Sequence, residues 1–297
     1  MNRKIKLHYW NDNKINFGDQ LSPYIIKKIS GKNIQYKHGY CGLKDCIKRT
    51  IRLISKGQWS ELKKVHYPYE KVIIGVGSII YSSVPGCIVW GSGFMNYKEK
   101  FNGGKIMLVR GPYTRNKLLK EGIQCPERYG DPAILLPIIY NPKKTIKNKI
   151  GIIPHWRETS FFKQYSSKYK IIDLNTKQIE ETIDDILSCE YILSTSLHGL
   201  IVAHTYGIPA LWIKKGYIDT DGFKFADYFG SVGINQYEGL TDLSILESEE
   251  AILATFNKFK NLSFPQKDLS IIRKTILETA PFDVIIEKQA FQMSSFS

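Results

Sequence analysis

Residues 190–213 combine two short apolar runs with a helical pattern between them, and this arrangement limits the possible folds more than any other part of the chain. The runs at 191–193 and 210–213 predict buried strands. Gly207 tolerates the left-handed conformation that ends many helices, and Pro209 cannot continue a helix. Strand, turn, helix and strand in this order form a βαβ unit, which predicts a parallel sheet with its loops at the carboxyl ends of the strands.

The turn before this helix carries three consecutive hydroxyl residues, Ser194, Thr195 and Ser196. Serine and threonine oxygens are common acceptors at a helix N-cap. The first N–H groups of a helix and the positive end of its dipole also favour an anion. The sequence therefore predicts an anion-binding helix N-terminus at the edge of the sheet.

Two histidines lie on this helix, His198 in its first turn and His204 in its last. His204 continues the i, i+3, i+4, i+7 face that begins at Leu197, and such a face packs on a sheet. We therefore predict that His204 is a hydrogen-bonded core residue. His198 lies off that face and is the functional candidate, with an ordinary polar turn residue as the alternative.

Composition favours a globular protein of a reducing compartment. The 297 residues are 43% hydrophobic, and no apolar run approaches the length of a membrane span. The N-terminal residues lack the apolar core of a signal peptide. The absence of CxxC spacing indicates free thiols rather than a zinc site, so we expect a cytoplasmic protein. The cysteines are Cys41, Cys46, Cys87, Cys125 and Cys189.

The net charge of +14 is unusually high. It indicates an anionic substrate, an anionic membrane face or simply a lysine-coated surface. Nucleic acid is disfavoured, because no compact basic helix or known reading motif is present. Residues 41–66 interleave this charge with apolar residues, which predicts either an amphipathic helix on an anionic membrane or a solvated surface helix or loop.

The rest of the chain alternates apolar strand patterns with helical patterns, which predicts an α/β fold. A polar, lysine-rich stretch at 141–149 indicates a domain boundary. We therefore expect two doubly wound, Rossmann-like domains at 1–143 and 144–268, and a terminal helix within 269–297 that crosses back to the first. The predicted strands are 4–9, 71–76, 87–90, 106–109, 149–154 and 170–174, and the predicted helices are 21–29, 113–121, 178–189, 249–259 and 269–280.

Arg110 leaves the carboxyl end of a predicted strand just before a predicted helix. A guanidinium there can grip a carboxylate or phosphate of a ligand, or form a structural salt bridge with a carboxylate such as Asp131, and position alone does not decide between them. Asp131 is also a predicted N-cap. Asp19 is equally consistent with a cap and with a catalytic role.

Five short motifs follow one another between about residue 5 and about residue 230. In this order they resemble the polysaccharide pyruvyl transferase family, and the resemblance implies a glycosyltransferase type B fold, with two Rossmann-like domains facing each other across a cleft. The motifs are Asn16-Phe17-Gly18-Asp19, Gly91-Ser92-Gly93, Val109-Arg110-Gly111-Pro112-Tyr113-Thr114-Arg115, Gly130-Asp131-Pro132-Ala133 and Ser194-Thr195-Ser196-Leu197-His198-Gly199-Leu200-Ile201.

The resemblance implies transfer of pyruvate from phosphoenolpyruvate onto two hydroxyls of one sugar, which makes a cyclic ketal and releases phosphate. Lipid-linked oligosaccharide precursors of capsule or exopolysaccharide are common acceptors, and a 4,6-ketal on galactose is the guess that the family suggests. A peripheral contact with the inner membrane face is a further expectation. Phosphoenolpyruvate is the donor substrate, and we expect neither a cofactor nor a metal.

The family also implies roles for single residues. His198 is the leading acid or phosphate-side donor, Arg110 the anion clamp, and Asp19 the candidate base at the acceptor side. Changing His198 or Arg110 to alanine should nearly abolish turnover and leave the fold intact. The expected substrate-binding residues are Gly18, Ser194, Thr195, Ser196, Gly199 and, as secondary candidates, His155, Arg157 and Lys214.

One position departs from the family. Many members carry arginine where this chain has Ser196. Either Arg157, Lys214 or Lys215 supplies the missing positive charge, or the Ser196 hydroxyl and the helix amides bind the anion without it. The rival interpretation is a glycosyltransferase that uses a nucleotide sugar. It needs an acidic residue for the ribose, such as Asp219 or Asp221, and leaves the Arg-Gly-Pro and Gly-Asp segments unexplained.

Overall fold

The computed structural model describes residues 4–11, 15–216, 218 and 220–286, which form an α/β fold with two parallel sheets. The strands are β1 Ile5–His8, β2 Ile34–Lys37, β3 Ile73–Ile74, β4 Ile88–Trp90, β5 Lys105–Leu108, β6 Asn148–Ile153, β7 Lys170–Ile171, β8 Cys189–Ser194 and β9 Ala210–Trp212. The α-helices are α1 Phe17–Ser30, α2 Leu43–Ser55, α3 Trp59–Leu62, α4 Pro112–Lys120, α5 Leu136–Ile139, α6 Thr159–Phe162, α7 Ile179–Leu187, α8 Leu197–Thr205, α9 Phe223–Val232, α10 Glu249–Lys258 and α11 Leu269–Glu278.

The strand orders are β2-β1-β3-β4-β5 in the first sheet and β7-β6-β8-β9 in the second, and every described pairing is parallel. The predicted α/β class and parallel strands are therefore confirmed. β2 and α9 were not predicted from the sequence.

Each sheet has a point where successive strands step in opposite directions, between β1 and β3 in the first sheet and between β6 and β8 in the second. Ligands of open α/β sheets bind outside the carboxyl ends of the strands at such a point. The loop after β1 leads into α1, and the turn after β8 leads into α8. Both switch points therefore place helix N-termini where a ligand would bind.

The observed helix caps agree with the expectation only in part. Asn16, rather than Asp19, caps α1, because its side chain accepts from Gly18 N, and Asp19 lies in the first turn. Asp131 caps a short 3-10 helix by accepting from Ala133 N, as predicted. Ser196 occupies the N-cap position of α8, but its side chain makes no capping hydrogen bond.

The two sheets share packing and hydrogen bonds. One core cluster contains side chains from both, including Leu7 under the first sheet and Ile192 under the second. Phe17 N at the start of α1 donates to Leu174 O over 2.8 Å. The α11 helix contacts the first half of the chain, where Trp90 Nε1 donates to Ile276 O. The boundary near 143 and the facing arrangement of a glycosyltransferase type B fold stay predictions.

Two features of other kinds of protein are absent from the described residues. No helix among them is long and apolar enough to cross a membrane. No group of three or more histidine, cysteine, aspartate or glutamate side chains in the same ranges is arranged to hold a metal ion. All five cysteines are free thiols.

Candidate active site

His198 lies in the first turn of α8, directly against the N-terminal turn of α1. A Cβ atom added to Gly18 would lie 2.2 Å from His198 Nδ1, so that only glycine allows the imidazole to pack on this backbone. His198 Nε2 is buried and has no hydrogen-bond partner within the described part of the chain. The first and last of the family motifs thus meet at one imidazole.

The imidazole of His198 is held neutral. Burial, followed by the positive charges of Lys224 and Arg110, lowers the pKa of His198 to about 3. A neutral imidazole has one donor and one acceptor nitrogen, so His198 can donate one hydrogen bond and accept another at neutral pH. The prediction that His204 is a hydrogen-bonded core residue is confirmed, since His204 is buried with Nδ1 3.1 Å from Tyr228 Oη and Nε2 3.1 Å from Ala210 O.

A second histidine lies at the neighbouring strand end, after β6. Backbone His155 N donates to Thr195 Oγ1 over 2.6 Å, which ties this loop to the turn before α8. His155 Nδ1 is buried without a partner among the described residues. Burial, then Lys224 and Arg157, lowers the pKa of His155 to about 3. The Arg157 guanidinium is exposed and lies 4.8 Å above the Trp156 ring.

Lys224 is a candidate site residue that was not predicted from the sequence. It lies in the first turn of α9, its side chain is buried, and its charge lowers the pKa of both His155 and His198. Lys224 is therefore the buried cation shared by the two imidazoles. The signal in the sequence is the pair Lys224 and Asp227, three residues apart in an otherwise apolar and aromatic helix, which indicates a buried polar face.

Arg110 is fully buried and paired with Asp227, not with Asp131. Its Nε donates to Asp227 Oδ2 over 3.0 Å, and its two terminal nitrogens donate to Ser78 Oγ and Phe94 O. The structural salt bridge is thus the observed arrangement, with a partner that was not predicted. A contact between Arg110 and a donor substrate stays a prediction.

Three glycines of the motifs make room for this pair and its surroundings. A Cβ atom on Gly93 would lie 2.6 Å from the Arg110 guanidinium, and one on Gly111 would lie 1.9 Å from Asp227 O. One on Gly91 would lie 2.3 Å from the ring of Pro132. The Gly-Ser-Gly, Arg-Gly-Pro and Gly-Asp-Pro segments are therefore interlocked.

The turn before α8 uses its side chains to hold its own shape. Ser194 Oγ lies 2.8 Å from Ile153 O and accepts from Ser196 N over 3.0 Å. A Cβ atom on Gly199 would lie 2.5 Å from Ser194 Oγ, so glycine is required for α8 to approach the strands. Because no side chain caps α8, its first amides are left for another acceptor.

Glu158 and Thr195 line a small cavity beside this turn, together with Lys214 and Lys215. Glu158 is buried, and its Oε2 has no hydrogen-bond partner in the ranges that the structure describes. Glu158 was not predicted as a site residue, although it follows His155 and Arg157 in the same loop. A buried carboxylate oxygen without a partner is costly, and such groups are common at functional sites.

A larger cavity of about 300 Å³ adjoins the small one and shares Trp212, Lys214 and Gly222 with it. This volume is at the lower end of the range of small-molecule sites. Aromatic side chains form much of its lining, with carboxylate and amide groups between them. They are Tyr97, Tyr113, Trp212, Phe223 and Tyr237, with Asp221, Gln236 and Glu238.

The acidic residues named for the alternative function are placed differently. The carboxylate oxygens of Asp221 accept from Tyr97 N over 2.8 Å and from Phe223 N over 3.0 Å, so this residue organises the start of α9. Asp219 lies outside the described residues. Asp19 is half-buried in the turn of α1 that carries Gly18.

Comparison with known proteins identifies the family of this chain. One relative is the uncharacterized protein L143 of Acanthamoeba polyphaga mimivirus, which is 29% identical over 207 residues, 65% of this chain and 69% of the relative. Another is the succinoglycan biosynthesis protein ExoV of Rhizobium meliloti (strain 1021), which is 23% identical over 237 residues, 77% of this chain and 66% of the relative. No solved structure matches the chain significantly. Residues 8–214, which include both histidine loops, match the family polysaccharide pyruvyl transferase, and the chain therefore belongs to this family of transferases.

Proposed function

We propose that this chain transfers pyruvate from phosphoenolpyruvate onto two hydroxyls of one sugar and releases phosphate. The observation that carries the proposal is the buried Nε2 of His198, which lies without a described partner at the uncapped N-terminus of α8, in the field of Lys224. Helix amides, an imidazole and a cation together favour a phosphate or carboxylate. We also propose that the two sheets are the halves of a glycosyltransferase type B arrangement.

Lys224 takes the place of the arginine that many members carry at the position of Ser196. Its charge acts on His155 and His198 from the neighbouring helix, so the cation is supplied from α9 rather than from the turn. Binding of an anionic donor beside this cation raises the pKa of His198, because negative charge favours the imidazolium. The bound donor substrate thereby favours protonated His198, which can then act as the acid.

The reaction needs three proton transfers. One sugar hydroxyl forms a C–O bond to C2 of phosphoenolpyruvate while C3 gains a proton and the hydroxyl loses its own to a base. The second hydroxyl then bonds to C2 as the C2–O bond to phosphate breaks, and its proton leaves with the phosphate. We assign His198 to the phosphate side and Asp19, beside Gly18, to the acceptor side as base.

The larger cavity is proposed as the acceptor site. Aromatic faces such as Tyr97 and Tyr113 suit the apolar face of a sugar ring, and the amide and carboxylate groups between them suit its hydroxyls.

Glu158 lines the adjoining small cavity and is the competing candidate for the base. Comparing Asp19→Asn with Glu158→Gln distinguishes the two candidate bases, since only substitution of the residue that acts as base removes the acidic limb of the pH–rate profile. The galactose 4,6-ketal, the lipid linkage and the cytoplasmic location stay predictions.

The test measures phosphate release from phosphoenolpyruvate in the presence of a panel of lipid-linked oligosaccharides, with the product read by mass. We expect His198→Gln to lower turnover by about 100-fold or more, the usual size of general acid–base catalysis. His38→Gln is the matched control and should turn over like wild type. The proposal is rejected if nucleotide sugars, and not phosphoenolpyruvate, raise the melting temperature.

Lys224 has its own test. Replacing it with methionine keeps much of the side-chain volume and removes the charge, so the KM for phosphoenolpyruvate should rise about ten-fold or more. The pKa values of His155 and His198 should rise as well, because the Lys224 charge lowers both. Nuclear magnetic resonance titration of the two imidazoles measures this, and unshifted pKa values would contradict the shared-cation assignment.

A further inference from the structure

The α2 helix carries a row of apolar side chains that faces solvent. Leu43, Ile47, Ile51 and Ile54 are 57%, 51%, 62% and 45% exposed, and their spacing of four, four and three residues places them on one side of the helix. We call this row the α2 stripe. Solvent-exposed large aliphatic side chains are usually scattered, so a continuous row indicates a surface that is covered in use.

Packing within the part of the chain that the structure describes does not explain the α2 stripe. The helix attaches to the protein through a different face, where Cys46 and Leu53 join Val65, Tyr40 and Leu62 in a small separate cluster. Cys46 Sγ also donates to His66 O over 3.1 Å, which fixes the helix from the same side. The helix is therefore held in place without the α2 stripe, whose side chains remain exposed.

A basic row runs beside the α2 stripe. Lys44, Lys48 and Arg52 repeat the four-residue spacing one position later, and all three are exposed. Arg49 and Lys56 add two more positive charges. Against these five basic residues, residues 43–56 contain a single acid, Asp45.

An exposed tryptophan follows α2 in the chain. Trp59 opens α3 and is 63% exposed. Tryptophan is enriched where a membrane meets water, because its ring is amphipathic and suits the headgroup level. A helix of thirteen residues is about 20 Å long, which is too short to span a bilayer and suited to lying in its surface.

We propose that α2 and Trp59 dock this protein onto an anionic lipid bilayer, with the α2 stripe in the acyl boundary and the basic row at the headgroups. The pairing of an apolar row with a parallel basic row carries the choice of partner. A bilayer with acidic headgroups offers both features over its whole surface and requires no shaped groove. This inference does not depend on the reaction that the protein catalyses.

Co-sedimentation with vesicles tests the docking without any activity measurement. We expect the protein to bind vesicles of phosphatidylcholine mixed with phosphatidylglycerol and to bind pure phosphatidylcholine much less. Ile47→Ser together with Ile51→Ser should weaken binding by about ten-fold or more, since serine cannot replace the buried apolar surface. Ile271→Ser, at an exposed apolar position of α11, is the matched control and should bind like wild type.

A second pair of variants tests the charge. Lys48→Gln with Arg52→Gln should weaken binding about 25-fold, the product of about five-fold for each basic residue near an anionic surface. Lys120→Gln with Lys274→Gln removes the same charge from α4 and α11 and should have little effect. Circular dichroism melting checks that each variant is folded.

Three results would overturn the proposal. The first is equal binding to vesicles with and without phosphatidylglycerol. The second is wild-type vesicle binding by the Ile47→Ser, Ile51→Ser variant, which would leave the α2 stripe without a role at the bilayer. The third is a dimer in analytical ultracentrifugation that these substitutions convert to a monomer while vesicle binding is unchanged, since the α2 stripe would then bind a second copy.

Discussion

Replacing Arg110 with alanine is expected to destabilise the fold, not only to stop the reaction. The guanidinium and the Asp227 carboxylate are both fully buried, and Asp227 also accepts from Thr114 N over 2.8 Å and from Thr114 Oγ1 over 2.7 Å. Without Arg110 the carboxylate stays buried, held by two neutral donors and no cation. Removing one partner of a buried ion pair costs about 3–5 kcal/mol, a large part of the stability of an ordinary domain.

The measurement is denaturant unfolding followed by circular dichroism, with the slope checked for two-state behaviour. Arg115→Ala is the matched control, because the Arg115 guanidinium lies 3.7 Å from a largely exposed Glu127 carboxylate. We expect that control to lose less than about 1 kcal/mol. Arg110→Met combined with Asp227→Asn should be more stable than Arg110→Met alone, since no lone charge remains buried.

One result would refute this reasoning. If Arg110→Ala unfolds at the wild-type denaturant concentration and yet fails to bind phosphoenolpyruvate, the guanidinium is a ligand clamp and its bond to Asp227 is incidental. This is the outcome that the family resemblance implied. A loss of both stability and binding supports the structural role.

Two further substitutions test the site and its framework. Gly18→Ala should lower turnover by about ten-fold or more and cost about 1–3 kcal/mol of stability, because the new Cβ would clash with the packed His198 imidazole; Gly39→Ala, whose Cβ would lie at an ordinary contact distance of 3.5 Å from His8, is the control. Asp131→Asn should become more stable relative to wild type as the pH rises from about 4 to about 7. Burial raises the pKa of Asp131 from 3.8 to about 6, so the wild type loses up to about 3 kcal/mol over that window; Asp268→Asn, at an exposed cap whose pKa is lowered, should not show this rise.

The strands of both sheets were predictable because most of them are continuous apolar runs that end in glycine, proline or a hydroxyl residue. β2 was missed because Ile34–Lys37 alternates with polar side chains over only four residues. The histidines were predictable as well, since a parallel sheet gathers the turns after its strands at one edge. His155 and His198 follow β6 and β8, which pair directly.

The charged partners were not predictable, because they are distant in sequence. Arg110 and Asp227 are separated by 117 residues, and Asp131, much nearer along the chain, was the obvious candidate. Helical spacing shows that Lys224 and Asp227 share a face of α9, but it does not show what that face meets. The position of Lys224 beside two imidazoles depends on how α9 packs on α4, which is a tertiary property.

The buried Arg110–Asp227 pair gives the Arg-Gly-Pro segment a structural role that requires no contact with the donor substrate. Asp227 fixes α9 against the start of α4, through Arg110, Thr114 and the close approach that Gly111 allows. Lys224 lies one helical turn before Asp227, so the same contacts fix the position of its ammonium group. Arg110 thereby holds α9 and its buried Lys224 in place, so losing Arg110 is expected to disturb the proposed site through α9. The Arg110→Met, Asp227→Asn variant should therefore recover stability to a larger extent than turnover.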